Sequence, residues 1–284
     1  MTEILPIADL ILTDTVRCVR DRLPSAARLL LAQIRYQVRL LLASGRGVAV
    51  GVGLPVILLV ASNTNHHPNV AGYAVFGLTI TAWSTYGVRL VAARESGVLK
   101  RWRATPLPRW CYFLGSIFAT SLTALLAGAV TVTAALLVYG PHFGEGAAVN
   151  LTAGAFLAVL ITCGFGALAW TATATAVTRF IPTVDAAFPT LILTYFPMII
   201  VSGVLFSLPN EPSWLSTLAT YLPAQPLIDA VTSAVRDAPG AAFIPPHDVI
   251  VLAAWAAGGL LAAVLLFRWE PHRPTQRRSA RTAA

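Results

Sequence analysis

The chain has 284 residues, of which 56% are hydrophobic and only 11% charged. A soluble domain carries roughly 25% charged residues to wet its surface, so this composition excludes a water-soluble globule and makes lipid the main solvent. The net charge of +8 raises a nucleic-acid reading, but no polar domain is present to carry such a patch, and the placement of the arginines accounts for the charge without nucleic acid.

Residues 1–46 read as a cytoplasmic segment. Its first dozen residues are apolar in patches but include Glu3 and Asp9 with no basic stretch ahead of them, so no cleavable signal peptide is expected. From Ser25 to Leu42, Arg28, Arg35 and Arg39 recur at spacings of seven and four, with Leu29, Leu30, Ile34, Val38 and Leu41 between them. That pattern predicts a basic amphipathic helix lying in the membrane interface, its arginine stems snorkelling toward headgroups. Ser25, after Pro24, is the expected N-cap.

Six apolar runs follow, at 47–62, 70–92, 112–139, 149–177, 186–206 and 249–267. A spanning helix needs about 20 such residues; the first run is short and reaches that length only by borrowing Leu40 to Leu42. None alternates with period two, so helices are expected in place of a barrel. The predicted fold is all-α, with a six-span membrane domain over 47–268 and a basic cytoplasmic tail over 269–284. All of the 20 lysines and arginines except Arg89 and Arg236 fall on the side of the termini. The positive-inside rule then puts both termini in the cytoplasm. Cys18, Cys111 and Cys163 are far apart and lack metal or redox spacing, so neither disulfide nor metal is expected.

The loop between the second and third runs is more than a connector. Val98, Leu99 and Trp102 give a short helix one apolar face, the basic residues give it another, and Pro106 and Pro108 close it. Such a helix lies flat on the membrane and offers a stiff knob to the cytoplasm. The run Glu95-Ser96-Gly97-x-Leu99-Lys100-Arg101-x-Arg103-Ala104-Thr105-Pro106-Leu107 resembles the coupling-helix region of ABC-2-type permeases. A second stretch agrees: Ser202-Gly203-Val204-Leu205-Phe206-Ser207-Leu208-Pro209, then Trp214-Leu215 and the run from Tyr221 to Ala230 resemble that family's segment after the fifth span. There, short re-entrant helices form on the outer side.

The resemblance, closest to the daunorubicin-exporter-like branch, implies a permease subunit in a bacterial plasma membrane. It implies that Arg94, Glu95, Ser96, Gly97, Leu99, Lys100, Arg101 and Arg103 couple to a separate ATP-binding subunit, which holds ATP and Mg. It also implies a second copy of the permease and a small amphipathic substrate, drug-like or lipid-like. The brief loop between the first two runs departs from the family, and Asn63 to Asn69, with His66 and His67, matches no family role.

No GxxxxGK[ST] loop is present, so this chain is no ATPase. A gradient-driven carrier would place acids inside its spans, whereas Asp185 and Asp248 sit at run edges and Glu145 in a loop. This alternative is weaker. No HExxH or GxSxG supports a membrane enzyme, and no cofactor is expected. His142, His247 and His272 fall, like the adjacent pair, outside the runs. The threonines and serines within the runs either pack helices closely or line a conduit; Trp83, Tyr86, Thr171 and Phe206 are the candidates for such a path. Pro55, Pro189 and Pro197 should kink their helices. Arg89 either snorkels to the interface or pairs with Glu95 or Asp185.

Overall fold

The computed structural model describes residues 25–62, 70–103, 109–140, 153–205, 212–236 and 245–266. Among these, the chain is helical and forms no strand. Helix α1 is Ala26–Leu42. Ser25 holds the N-cap position, but its side chain makes no capping bond; its carbonyl receives the Leu29 N–H at 3.1 Å instead. The exposed face of α1 carries Arg28, Arg35 and Arg39, while Gln33, Gln37 and Leu41 are buried. The buried face is therefore more polar than its leucines suggest.

Helix α2 runs through an α-turn Gly45–Val48, a π segment Ala49–Gly53 and a further α segment Leu54–Ala61. Pro55 explains the widening. It has no N–H for the carbonyl four residues earlier, and its ring crowds that carbonyl; the Leu54 N–H reaches back to the Ala49 carbonyl instead. Helix α3 has the same make-up: Val70–Ile80, a π segment Thr81–Thr85, then Tyr86–Glu95. Here the Thr81 hydroxyl donates to the Gly77 carbonyl at 2.8 Å, a side chain inserted into the ladder. The two π segments pack against each other.

The remaining helices are α4 (Val98–Arg103), α5 (Arg109–Tyr139) and α6 (Ala153–Val177), which tightens into a 3-10 turn at Thr178–Phe180. They continue with α7 (Val184–Val201), α8 (Ser213–Thr220), α9 (Gln225–Arg236) and α10 (Pro246–Leu266). The helix of the fifth run stops at Val201, short of the expected 206, at a turn through Ser202 and Gly203.

Helix α3 is the axle. It packs against α2, α5, α6, α7 and α9, and nearly every side chain from Val70 to Tyr86 is buried. Gly87 lets α7 approach: a Cβ there would lie 2.6 Å from Leu191 Cδ1. On the outside, Leu137 of α5, Leu193 of α7 and Val264 of α10 are among the many exposed apolar side chains. Each would lose about 1.5–3 kcal/mol of burial in water, whereas hydrocarbon is their natural solvent.

Among the described residues, four helices are long and apolar enough to cross a membrane: Trp110–Tyr139, Phe156–Phe180, Val184–Val201 and Pro246–Leu265. The first two expected spans are helical as well, but each is divided by its π segment, and the apolar helix Ala49–Ala61 is shorter than a bilayer requires.

Candidate functional site

The last turn of α3 gathers the residues that stand out in the sequence. The Ser96 and Gly97 N–H groups return to the Ala92 and Arg94 carbonyls at 2.9 and 3.3 Å, and Gly97 has φ +73°. That left-handed conformation suits glycine, and it turns the chain directly into α4 with no linker. Leu99 is fully buried and α4 lies against α3, whereas Glu95, Ser96, Val98 and Arg101 are exposed. Lys100 and Arg103 lie on α4, and their side chains are outside the described residues.

Arg94 points inward and is 3% exposed. Its Nη1 donates to the Thr178 carbonyl at 3.0 Å and its Nη2 to the Ile181 carbonyl. These acceptors close α6, where the macrodipole is negative; the Thr178 carbonyl also accepts the Ile181 N–H at 3.2 Å, and Arg94 supplies a donor to the Ile181 carbonyl beyond it. Glu95 does the complementary task. Its Oε2 accepts the Val184 N–H at 2.7 Å, at the first residue of α7, where the orphan groups are donors and the dipole is positive. Thr183 supports the same terminus, its Oγ1 accepting the Ala186 N–H at 3.4 Å. Two consecutive residues of α3 thus place a cation on one helix end and an anion on the next, clasping the short α6–α7 connection.

The clasp holds surplus positive charge. Burial pulls the Arg94 guanidinium below its ordinary value, the charge of Arg179 adds to this, and Glu95 opposes it; Arg94 lies beyond the apolar run that ends at Ala92. Arg179 Nη1 is buried with no hydrogen-bond partner among the described residues. Glu95 is committed to α7, so it does not pair with Arg89. Among the described residues Arg89 forms no ion pair; Tyr112, Tyr86 and Tyr36 are the groups around it.

The candidates for a substrate path lie deeper. Trp83 Nε1 donates to the Leu191 carbonyl at 3.0 Å, and its ring meets Trp170 edge-on at 5.5 Å. Tyr86 receives the Thr175 hydroxyl at 3.1 Å, and Thr171 bonds the Ala167 carbonyl at 2.7 Å. All three candidates are buried core residues in the single chain, and Phe206 lies outside the described residues. Tyr195, which the sequence reading passed over, joins α7 to α3 through Thr79 at 2.7 Å and stacks edge-on with Trp170 at 5.7 Å. A phenol in an apolar run is the available signal, because a buried hydroxyl needs a partner. Ser84 Oγ, Thr85 Oγ1 and Trp170 Nε1 are buried without partners among the described residues.

Residues 52–265 match the model of a family described as ABC-2 family transporter protein. No curated protein gives a significant match.

Proposed function

The chain belongs to the ABC-2 transporter family, and from that premise we propose that it is the membrane-spanning permease subunit of an ATP-driven exporter. Permeases of this family work with an ATP-binding subunit, and no phosphate-cradling loop occurs in this sequence. ATP and Mg then belong to that partner, and the chain itself performs no covalent chemistry.

In this reading α2 and α3 complete six spans, and the membrane domain is 47–268. Both termini, including the basic tail 269–284, are cytoplasmic, in a bacterial plasma membrane. Helix α1 lies in the inner interface with Arg28, Arg35 and Arg39 toward the headgroups, and α8 and α9 are re-entrant on the outer side. Two copies of the chain assemble over two ATP-binding subunits, because one copy has too few helices to enclose a path.

One observation carries the proposal. The helix buried at the centre of the bundle runs without a linker into a short helix with an exposed basic residue, and its last turn also holds the α6–α7 connection. Force applied at α4 by the ATP-binding subunit therefore reaches α3 through Leu99 and the Gly97 turn, and reaches α7 through Arg94 and Glu95. Rocking of α2, α3 and α7 as a body would alternate access for a small amphipathic substrate, which needs only differential binding in the two states. The unpartnered polar atoms of Ser84, Thr85 and Trp170, near Trp83 and Tyr86 on α3 and Thr171 on α6, support a path at that level, since buried polar groups normally find partners.

Arg101→Glu tests the proposal. The side chain is exposed, so folding and membrane insertion should be unchanged. In liposomes containing the chain and its ATP-binding subunit, transport and substrate-stimulated ATP hydrolysis should fall together, by roughly tenfold or more for reversing a charge at a docking contact. Undiminished coupling would overturn the assignment of α4.

A further inference from the structure

A cavity of about 450 Å³ lies between α1, the second half of α3, the start of α4 and the start of α5. The polar groups lining it include Arg89, Gln37, Tyr86, Tyr112 and Ser116, and Arg89 is the cation among its lining residues, which contain no carboxylate. The three tyrosines around Arg89 come from α1, α3 and α5. The Tyr112 hydroxyl is hydrogen-bonded to the side chains of Ser116 and Gln37, so the wall is cross-braced. Its apolar rim includes Leu40 and Val98, which are 45% and 38% exposed.

A guanidinium held in a partly dry cavity without a carboxylate costs free energy that an incoming anion would offset. The planar fork of arginine matches phosphate oxygens in pairs, and phenol, hydroxyl and amide groups can bond the oxygens that remain. The volume falls within the roughly 300–1,000 Å³ of ligand sites and far exceeds the ~30 Å³ share of a water molecule, so a bare anion would leave most of it unfilled. An apolar rim beside an interfacial helix suits an occupant with hydrocarbon attached.

We propose that this cavity binds the phosphate of an anionic phospholipid, with Arg89 holding the phosphate and Leu40 and Val98 flanking the start of the acyl chains. The topology proposed above makes the source the inner leaflet, whereas the chemistry of the site stands without it. Ser96 and Val98 contribute to the cavity wall, so the bound headgroup would brace the turn into α4.

The test uses the purified full-length chain in nonionic detergent, titrated separately with phosphatidylglycerol, phosphatidylcholine and sodium phosphate. Native mass spectrometry would count bound lipid, and thermal unfolding would report stabilisation. Phosphatidylglycerol should bind roughly tenfold more tightly than phosphatidylcholine, the size expected of a charge-assisted hydrogen bond in a site with no acid to receive choline. Arg89→Gln should erase that preference. Ser116→Leu, which narrows the cavity and leaves the charge, should weaken binding too and covers the case in which Arg89→Gln fails to fold. Equal binding of the two lipids, or a preference that survives Arg89→Gln, would overturn the site. Stabilisation by sodium phosphate equal to that by phosphatidylglycerol would support the phosphate site and overturn its lipid source.

Discussion

The two ends of α7 handle charge in opposite ways. Its first residue sits in the clasp, where Arg94 meets helix carbonyls and Glu95 meets a helix N–H, so each charge faces a complementary terminus. About 27 Å further along, at 1.5 Å per residue, α7 hands the chain to the junction of α8, α9 and α10. There Asp229 and Asp248 interact unfavourably. Asp229 is held by Gln225 Nε2 at 3.3 Å, and His247 lies 3.5 Å from Asp248. Neutral contacts do most of the joining: Trp255 Nε1 donates to the Tyr221 carbonyl at 2.8 Å, and Tyr221 meets His247 edge-on at 6.0 Å. In the proposed reading the clasp transmits force as one piece, whereas the junction leaves like charges facing each other.

Arg94→Met is the severest way to break that contrast. It removes two charge-assisted hydrogen bonds, strands the Ile181 carbonyl and leaves the Thr178 carbonyl with only the Ile181 N–H, at a cost of about 2–4 kcal/mol. The variant should unfold at a lower temperature in detergent, and hydrogen exchange should quicken at 178–186 before it changes at 213–236. Uniform destabilisation would mean that the clasp is no separate unit. Glu95→Lys comes next. It places a cation on a helix N-terminus where a carboxylate now accepts a hydrogen bond, losing about 1–2 kcal/mol. Coupling measured with the ATP-binding subunit should drop while the amount of chain in the membrane stays constant. Glu95→Gln keeps an acceptor and should retain most of the coupling; equal loss in both variants would remove the electrostatic part of the argument.

How much of this could be read in the sequence depends on where the information resides. Helices are legible because a chain of this composition must satisfy its backbone internally, and the start of α4 is legible because glycine follows a helix end and an amphipathic basic stretch follows the glycine. The inward turn of Arg94 is not. Its partners are backbone carbonyls more than 80 residues away, and a carbonyl carries no side-chain identity. Counting Arg94 toward a basic face serves the positive-inside argument and is silent about its bonds. The break in α2 is announced by Pro55, whereas the one in α3 arises among Thr81 to Thr85 with no proline to mark it. Nor does hydropathy reveal that α3 is the axle; its threonines, bonded to Tyr195 and to its own carbonyls, are the better guide.

At the junction the expected effects are smaller. Trp255→Phe deletes one neutral hydrogen bond and keeps the ring, so about 1 kcal/mol should be lost, visible as faster exchange over 213–222 with the clasp untouched. Asp229→Asn is the finest probe. Burial, and after it the charge of Asp248, raises the Asp229 carboxyl above its ordinary value near 3.8, while Gln225 pulls it down. A raised carboxyl favours the protonated form in the folded state, so its stabilising share is fully present below the ordinary value and is lost as pH rises through the raised one. Wild-type protection of α8 and α9 should therefore increase on acidification toward that window. In Asp229→Asn the repulsion is absent at every pH, so the variant should be the better protected at neutral pH, and the difference should close as the medium is acidified. A wild type that loses protection relative to the variant on acidification would reverse the sign and show that Asp229 stabilises the junction as an anion, removing the contrast between the two ends of α7.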